Sequence, residues 1–321
     1  MVLACLVLVR STPAAAYVRA RTEKTFLPLF WTDPRKALEI ALPPAGVGVT
    51  DAELRGAAQA AVSSWSYPRI ACTGISLRLG GESMDSQVAG RDGKNRIIMR
   101  VGHWCRDPVA LKFCHDEAAV AVTTLFSRRQ PLSPKDGEIL EADIELNAVD
   151  QFEWGIIPEG PISGRDFANI YDVASVLTHE MGHFIGLDHN CLPPKADPLV
   201  DDQDRPVPSC FDLPSDKQAS IEDATMYPFT DTTDVRLRSL SPDETRAACE
   251  MYPIDSLPVY EWIGAGGCSH APLAKPDGPL RVVAATILMA VLGLFLRMRR
   301  RTRPSQSTRN PAPIPRNQRL S

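Results

Sequence analysis

The sequence predicts an α/β fold, a twisted, mostly parallel sheet that carries two helices and is followed by a small irregular C-terminal part. Three observations predict it. Short runs rich in β-branched residues recur between turn residues, and two stretches place apolar residues at helical spacing behind capping residues. Proline is abundant, at 28 of 321 residues, which favours long ordered loops over a helical bundle. A hydrophobic share of 44% suffices for a packed core at this length. The net charge of -4, from 35 basic and 39 acidic residues, gives no polybasic field before the extreme C-terminus, so nucleic acid is set aside as a partner.

Residues 1–16 combine an apolar run from Val2 to Val9 with Ala14, Ala15 and Ala16, a small-residue cleavage pattern, and are expected to be a signal peptide. The folded domain is expected over residues 17–253. Lys36 to Leu42 predicts a strand. Thr50 with Glu53 forms a capping box that opens a helix, whose residues Leu54, Ala57, Ala58, Ala61, Val62 and Trp65 lie on one face. Cys72 to Leu79, Asn95 to Val101 and Ala118 to Leu125 predict further strands. Gly137 to Asn147 alternates apolar and acidic positions, which predicts a strand with one wet face, at a sheet edge. Asp172 is the expected N-cap of a second long helix, with Val173, Leu177, Met181 and Phe184 buried and Gly186 ending it. Ser241, Pro242 and Glu244 open a last helix running through Cys249.

Residues 254–280 are rich in Pro and Gly and predict a linker. Within residues 281–298, Val282 to Leu296 is apolar except for Thr286 and is followed by an arginine cluster from Arg297 to Arg303. As a helix this run is about 22 Å long, shorter than the ~30 Å hydrocarbon core, so it predicts a short anchor with a snorkelling Arg281. The arginines should stay cytoplasmic, placing the domain outside at the cell envelope or surface. Residues 299–321 predict a basic disordered tail. Eight cysteines fit an oxidising compartment. Setting aside Cys5 and Cys268 leaves six, which allow 15 pairings. Short loops favour Cys105 with Cys114 and Cys191 with Cys210, which leaves Cys72 with Cys249. A cysteine-based metal site fails for lack of any CxxC spacing.

The chemistry concentrates in HEMGHFIGLDH, residues 179–189. His179 and His183 are one helical turn apart on one face, so both imidazoles can reach a single ion, with Glu180 beside them. Gly186 lets the chain leave the helix sharply, and His189 can return as a third nitrogen ligand. A zinc ion held this way would lower the pKa of its water to around 7, and Glu180 would serve as general base. Each histidine alone is more ordinarily a hydrogen-bonded core or surface residue. The extended pattern, however, arises by chance on the order of once in 10⁵ such chains. His103, His115 and His270 receive no role. Asp197, Asp201, Asp202 and Asp204 could bind calcium, but they lack EF-hand spacing, and a solvated loop is the favoured reading.

The same stretch matches the metzincin HExxHxxGxxH, and Thr225-Met226-Tyr227-Pro228 resembles the Met-turn that runs beneath the metal in those enzymes. Among metzincins the chain is most similar to bacterial matrixins over roughly residues 25–253, on the DIELN-like strand, the HE-GH-GL-H helix and the Met-Tyr-Pro turn. The resemblance implies a zinc endopeptidase that cleaves proteins or peptides outside the cytoplasm. Met226 would be a structural base, and Ala142, Asp143, Ile144, Glu145, Leu146 and Asn147 the strand that pairs with an extended substrate. No propeptide cysteine motif is present, and Asn190 follows the third histidine where matrixins often have Ser. Gly266-Gly267-Cys268-Ser269 with the following helix and arginines resembles myxobacterial surface-sorting signals, and a single-pass anchor is the other reading. The rivals are a gluzincin-type protease, against which His189 speaks, and a surface-anchored, non-catalytic binding module on the same fold.

Overall fold

The computed structural model describes residues 17–83, 89–107, 109–149, 152–158 and 167–256, together with the backbone of 318–319. In chain order it comprises β1 (Val18–Arg19), β2 (Arg35–Ala41), α1 (Asp51–Ser64), β3 (Ser76–Ser83), β4 (Arg96–Arg100), β5 (Cys105–Asp107), β6 (Lys112–Cys114) and β7 (Ala121–Ser127). There follow β8 (Ile139–Asn147), β9 (Glu153–Gly155), β10 (Ile170–Asp172), α2 (Val173–Phe184), β11 (Leu187–Asp188), α3 (Gln218–Glu222), β12 (Phe229–Thr230), α4 (Pro242–Met251) and β13 (Gln318–Arg319). Five strands form one mixed sheet in the order β3-β2-β4-β8-β7. All neighbours are parallel except β7, which runs antiparallel to β8.

The capping residues do what their chemistry dictates. Thr50 and Glu53 cap α1 reciprocally, and Ser241 and Glu244 do the same for α4, each pair satisfying two N–H groups that the first turn leaves open. The apolar face of α1, Leu54, Ala57, Ala58, Ala61 and Val62, is buried in the main core beside α2 and one face of the sheet. Trp65 joins the two helices by donating its indole N–H to the Thr178 carbonyl at 2.8 Å. The last turn of α2 is secured in the same way. Trp31 donates to Phe184 O at 2.8 Å and the Tyr252 hydroxyl to Ile185 O at 2.6 Å, so carbonyls without a helical partner stay satisfied in the interior.

Two strands start late relative to the expectation. The strand foreseen from Cys72 begins at Ser76, because Thr73 and Gly74 instead bond to the end of α4. The strand foreseen from Ala118 begins at Ala121, after a turn closed by Ala119 N–H on Asp116 O.

The larger correction concerns β8. It is not an edge strand, and residues Ala142, Asp143, Ile144, Glu145, Leu146 and Asn147 cannot accept a further strand. Asp143 to Asn147 pair with β4, Ala142 to Leu146 pair with β7, and Ala142 N–H bonds the Asn95 side chain. Nor is the acidic face wet. Glu141, Asp143 and Glu145 are all buried. Their face is covered by the 89–95 loop and by arginines of β4. Asp143 accepts from the N–H groups of Gly90 and Arg96, and Glu141 from those of Asp92 and Gly93. Glu145 pairs with Arg100 at 2.5 Å, both fully buried, and with His115 at 3.4 Å. Burial alone would raise the Glu145 carboxyl, but His115 and the Arg100 guanidinium outweigh it and hold it below the ordinary range.

Asp143 goes the other way. Burial, reinforced by Glu141, pushes it up to about 7 against the backbone donors and Arg96. Its folded pKa therefore exceeds the unfolded value, and the folded state holds the proton more tightly. That stabilisation is complete below about pH 4 and is lost as pH rises to about 7, by at most about 4 kcal/mol. Chemical denaturation of wild type and Asp143→Asn at steps between those limits checks this, with the balance expected to move toward the variant as pH rises.

Three disulfides join Cys72 to Cys249, Cys105 to Cys114 and Cys191 to Cys210, the pairing that loop lengths favoured. They fit an oxidising, extracellular setting. The second staples the β5–β6 hairpin, and the third staples the irregular part that follows His189. No described helix is long and apolar enough to cross a membrane. The expected signal peptide, linker beyond residue 256, anchor at 281–298 and sorting-like Cys268 lie outside the described residues.

Candidate metal centre

Asp172 opens α2 as the sequence indicates. One carboxylate oxygen accepts from Ser175 N–H at 2.8 Å and the other from Ile157 N–H at 3.0 Å. Arg238 forks onto both oxygens, at 2.8 and 2.5 Å, so the buried charge is paired. At the other end the chain turns at Gly186, whose φ is +98°. A Cβ there would also stand 2.9 Å from Leu29 O, so the position needs glycine twice over. β11 then pairs antiparallel with β1, which fixes the direction in which His189 returns to the helix.

The three histidines converge. His179 Nε2 lies 3.1 Å from His183 Nε2, which lies 3.2 Å from His189 Nε2, and one ligand atom from each falls within 4.8 Å of the others. The outer ring nitrogens are occupied by carbonyls. His179 Nδ1 donates to Thr225 O at 2.6 Å and His183 Nδ1 to Leu187 O at 2.9 Å. A carbonyl only accepts, so these rings carry their proton on Nδ1 and aim an Nε2 lone pair at the shared point. Burial, and then the neighbouring His183, hold His179 well below the usual imidazole range, against the raising effect of Thr225 O. Four nitrogens bound tetrahedrally at ~2.0–2.1 Å would lie about 3.3 Å apart. The donor set and its spacing fit one divalent ion that takes nitrogen ligands.

Met226 packs against α2 at Gly182. A Cβ on Gly182 would overlap its sulfur and press on Trp65, so glycine lets the turn approach the helix closely. Glu244 secures that turn: one oxygen caps α4 and the other accepts Met226 N–H at 3.0 Å, while Asn190 N–H bonds Met226 O at 3.1 Å. Glu180 is fully buried, and its Oε2 accepts a 2.6 Å hydrogen bond from the Thr123 hydroxyl on β7.

His179, His183, His189, Glu180 and Met226 are thus brought together, and 142–147 are not part of the group. Thr123, Arg238 and the carbonyls of Thr225 and Leu187 were not foreseen. Carbonyls carry no sequence signal, and Thr123 reads as one more β-branched strand residue. Among the four acids suggested for calcium, Asp201 caps the turn at Gln203 and Arg205 and pairs with Arg205, while Asp202 pairs with Arg246. Among the described residues, the three histidines are the group with metal-ligand spacing. Neither protein-family models nor curated proteins give a match to the chain.

Proposed function

We propose that the protein is a zinc-dependent endopeptidase of the metzincin, matrixin-like type, exported and tethered through residues 281–298. The observation that carries this is the convergence of three imidazole Nε2 atoms, next along α2 to a fully buried carboxylate. Bound zinc supplies Lewis-acid activation of water and of the scissile carbonyl. Glu180 takes the proton from the attacking water and returns it to the leaving amine. The Nδ1 bonds to Thr225 and Leu187 keep the ligand rings from rotating. Thr123 fixes the Glu180 carboxylate from the strand side.

An extended peptide is placed on β7, the edge next to α2. Val120 O bonds back toward β8, so by alternation the backbone groups of Ala121, Thr123 and Leu125 face outward, where among the described residues no strand pairs with them. Thr123→Val is expected to lower kcat about ten- to a hundredfold, the worth of one charge-assisted hydrogen bond. KM should change little, and Thr123→Ser should restore most of the rate.

Elemental analysis of the exported domain, beside cleavage of a generic protein with and without chelator, tests the reading. One zinc per chain with chelator-sensitive cleavage supports it. Zinc without cleavage would move the assignment to a binding module, and absence of any metal would sink the centre itself.

A further inference from the structure

From Thr123, beside Glu180, β7 runs on to Ser127 and then to Arg128 and Arg129. Around this far end lies an open cavity of about 560 Å³ whose apolar lining residues are Leu125, Phe126 and Leu140. Its lining carries three arginines, Arg91, Arg128 and Arg129, and no carboxylate among the described residues. Arg128 is anchored by Glu138 at 2.8 Å. The other two are placed to receive a ligand. Arg91 lies over the Phe126 ring at 5.9 Å with Nη2 3.5 Å from Ser127 O, and is exposed. Arg129 pairs with Glu23 at 3.2 Å, but the side chains are 70% and 73% exposed, so exchanging that partner for another carboxylate costs little.

The cavity shares Leu125, Phe126 and Ser127 with the edge strand β7. A peptide adding to β7 in the antiparallel sense, the more stable pairing, runs its N-terminal side toward Ser127. At about 3.4 Å per residue the positions that carry the arginines, from Phe126 beneath Arg91 to Arg129, stand about 10–20 Å along the strand from Thr123. We propose that this end of β7 is a specificity subsite for acidic side chains, Asp or Glu, about three to six residues N-terminal to the scissile bond of an extended peptide. The proposal rests on the peptidase reading for the direction of the peptide, and adds the class of substrate.

The test uses matched labelled peptides with Glu or Gln at those positions, bound to Glu180→Gln protein so that affinity is read without turnover. Glu peptides are expected to bind about three- to tenfold more tightly at low salt, with the gap closing near 0.5 M salt. Arg91→Glu with Arg129→Glu should reverse or erase the preference; both side chains are exposed, so the fold should tolerate the change. Equal affinities, a preference that survives the double reversal, or a preference mapped to the C-terminal side of the bond would each overturn the proposal. Acid-selective binding with no cleavage of any peptide by the zinc-loaded wild type would instead sink the peptidase reading and leave the subsite standing.

Discussion

Glu180→Gln is expected to abolish peptide cleavage, by about 10²- to 10⁴-fold, while leaving zinc content and thermal stability close to wild type. The amide has the shape of the carboxylate and can still accept the Thr123 hydroxyl, so the buried site keeps its packing and its hydrogen bond. The three ligand nitrogens are untouched. What is lost is the ability to take up a proton and return it. Elemental analysis, a thermal melt and a cleavage assay on the same preparation separate the outcomes. Retained metal with retained cleavage would assign the base elsewhere, and lost metal would show that Glu180 helps to hold the ligands.

Arg100→Met is expected to cost about 3–5 kcal/mol of folding free energy, the penalty for leaving a buried carboxylate without its main partner. Both side chains of the Arg100–Glu145 pair are fully buried between the sheet and the segments that cover its outer face, and among the described residues His115 is the cation left to face Glu145. A second change, Glu145→Leu, is expected to recover much of the loss, because an apolar pair of similar volume needs no compensation. Denaturant titrations of wild type, single and double variants measure this. A single variant within about 1 kcal/mol of wild type would mean that water or His115 already neutralises the carboxylate.

The same pair shows where the sequence was legible. Features settled within a few residues could be read directly: both capping boxes, the glycine that ends α2, the one-turn spacing of His179 and His183. The alternation of Glu141, Asp143 and Glu145 was also read correctly as one face of a strand. Whether that face meets water is decided by Arg96, Arg100 and the 89–95 loop, about 45 residues earlier in the chain. A wet edge and a face capped by arginines have the same period. For that reason the pattern assigns 142–147 to a sheet edge, although the edge lies one strand further out at β7, and it does not single out Thr123. The histidine cluster is legible because its geometry is nearly all local, down to the carbonyl of Leu187.

Cys72 and Cys249 are 177 residues apart and fasten the chain just after α1 to α4. Outside the cytosol, where such a bond persists, exposed loops meet proteases. With this bond closed, one cut anywhere between them divides the chain but releases neither piece, and α1 stays tethered to α4. A molecule nicked between them therefore runs as one band until a reductant is added.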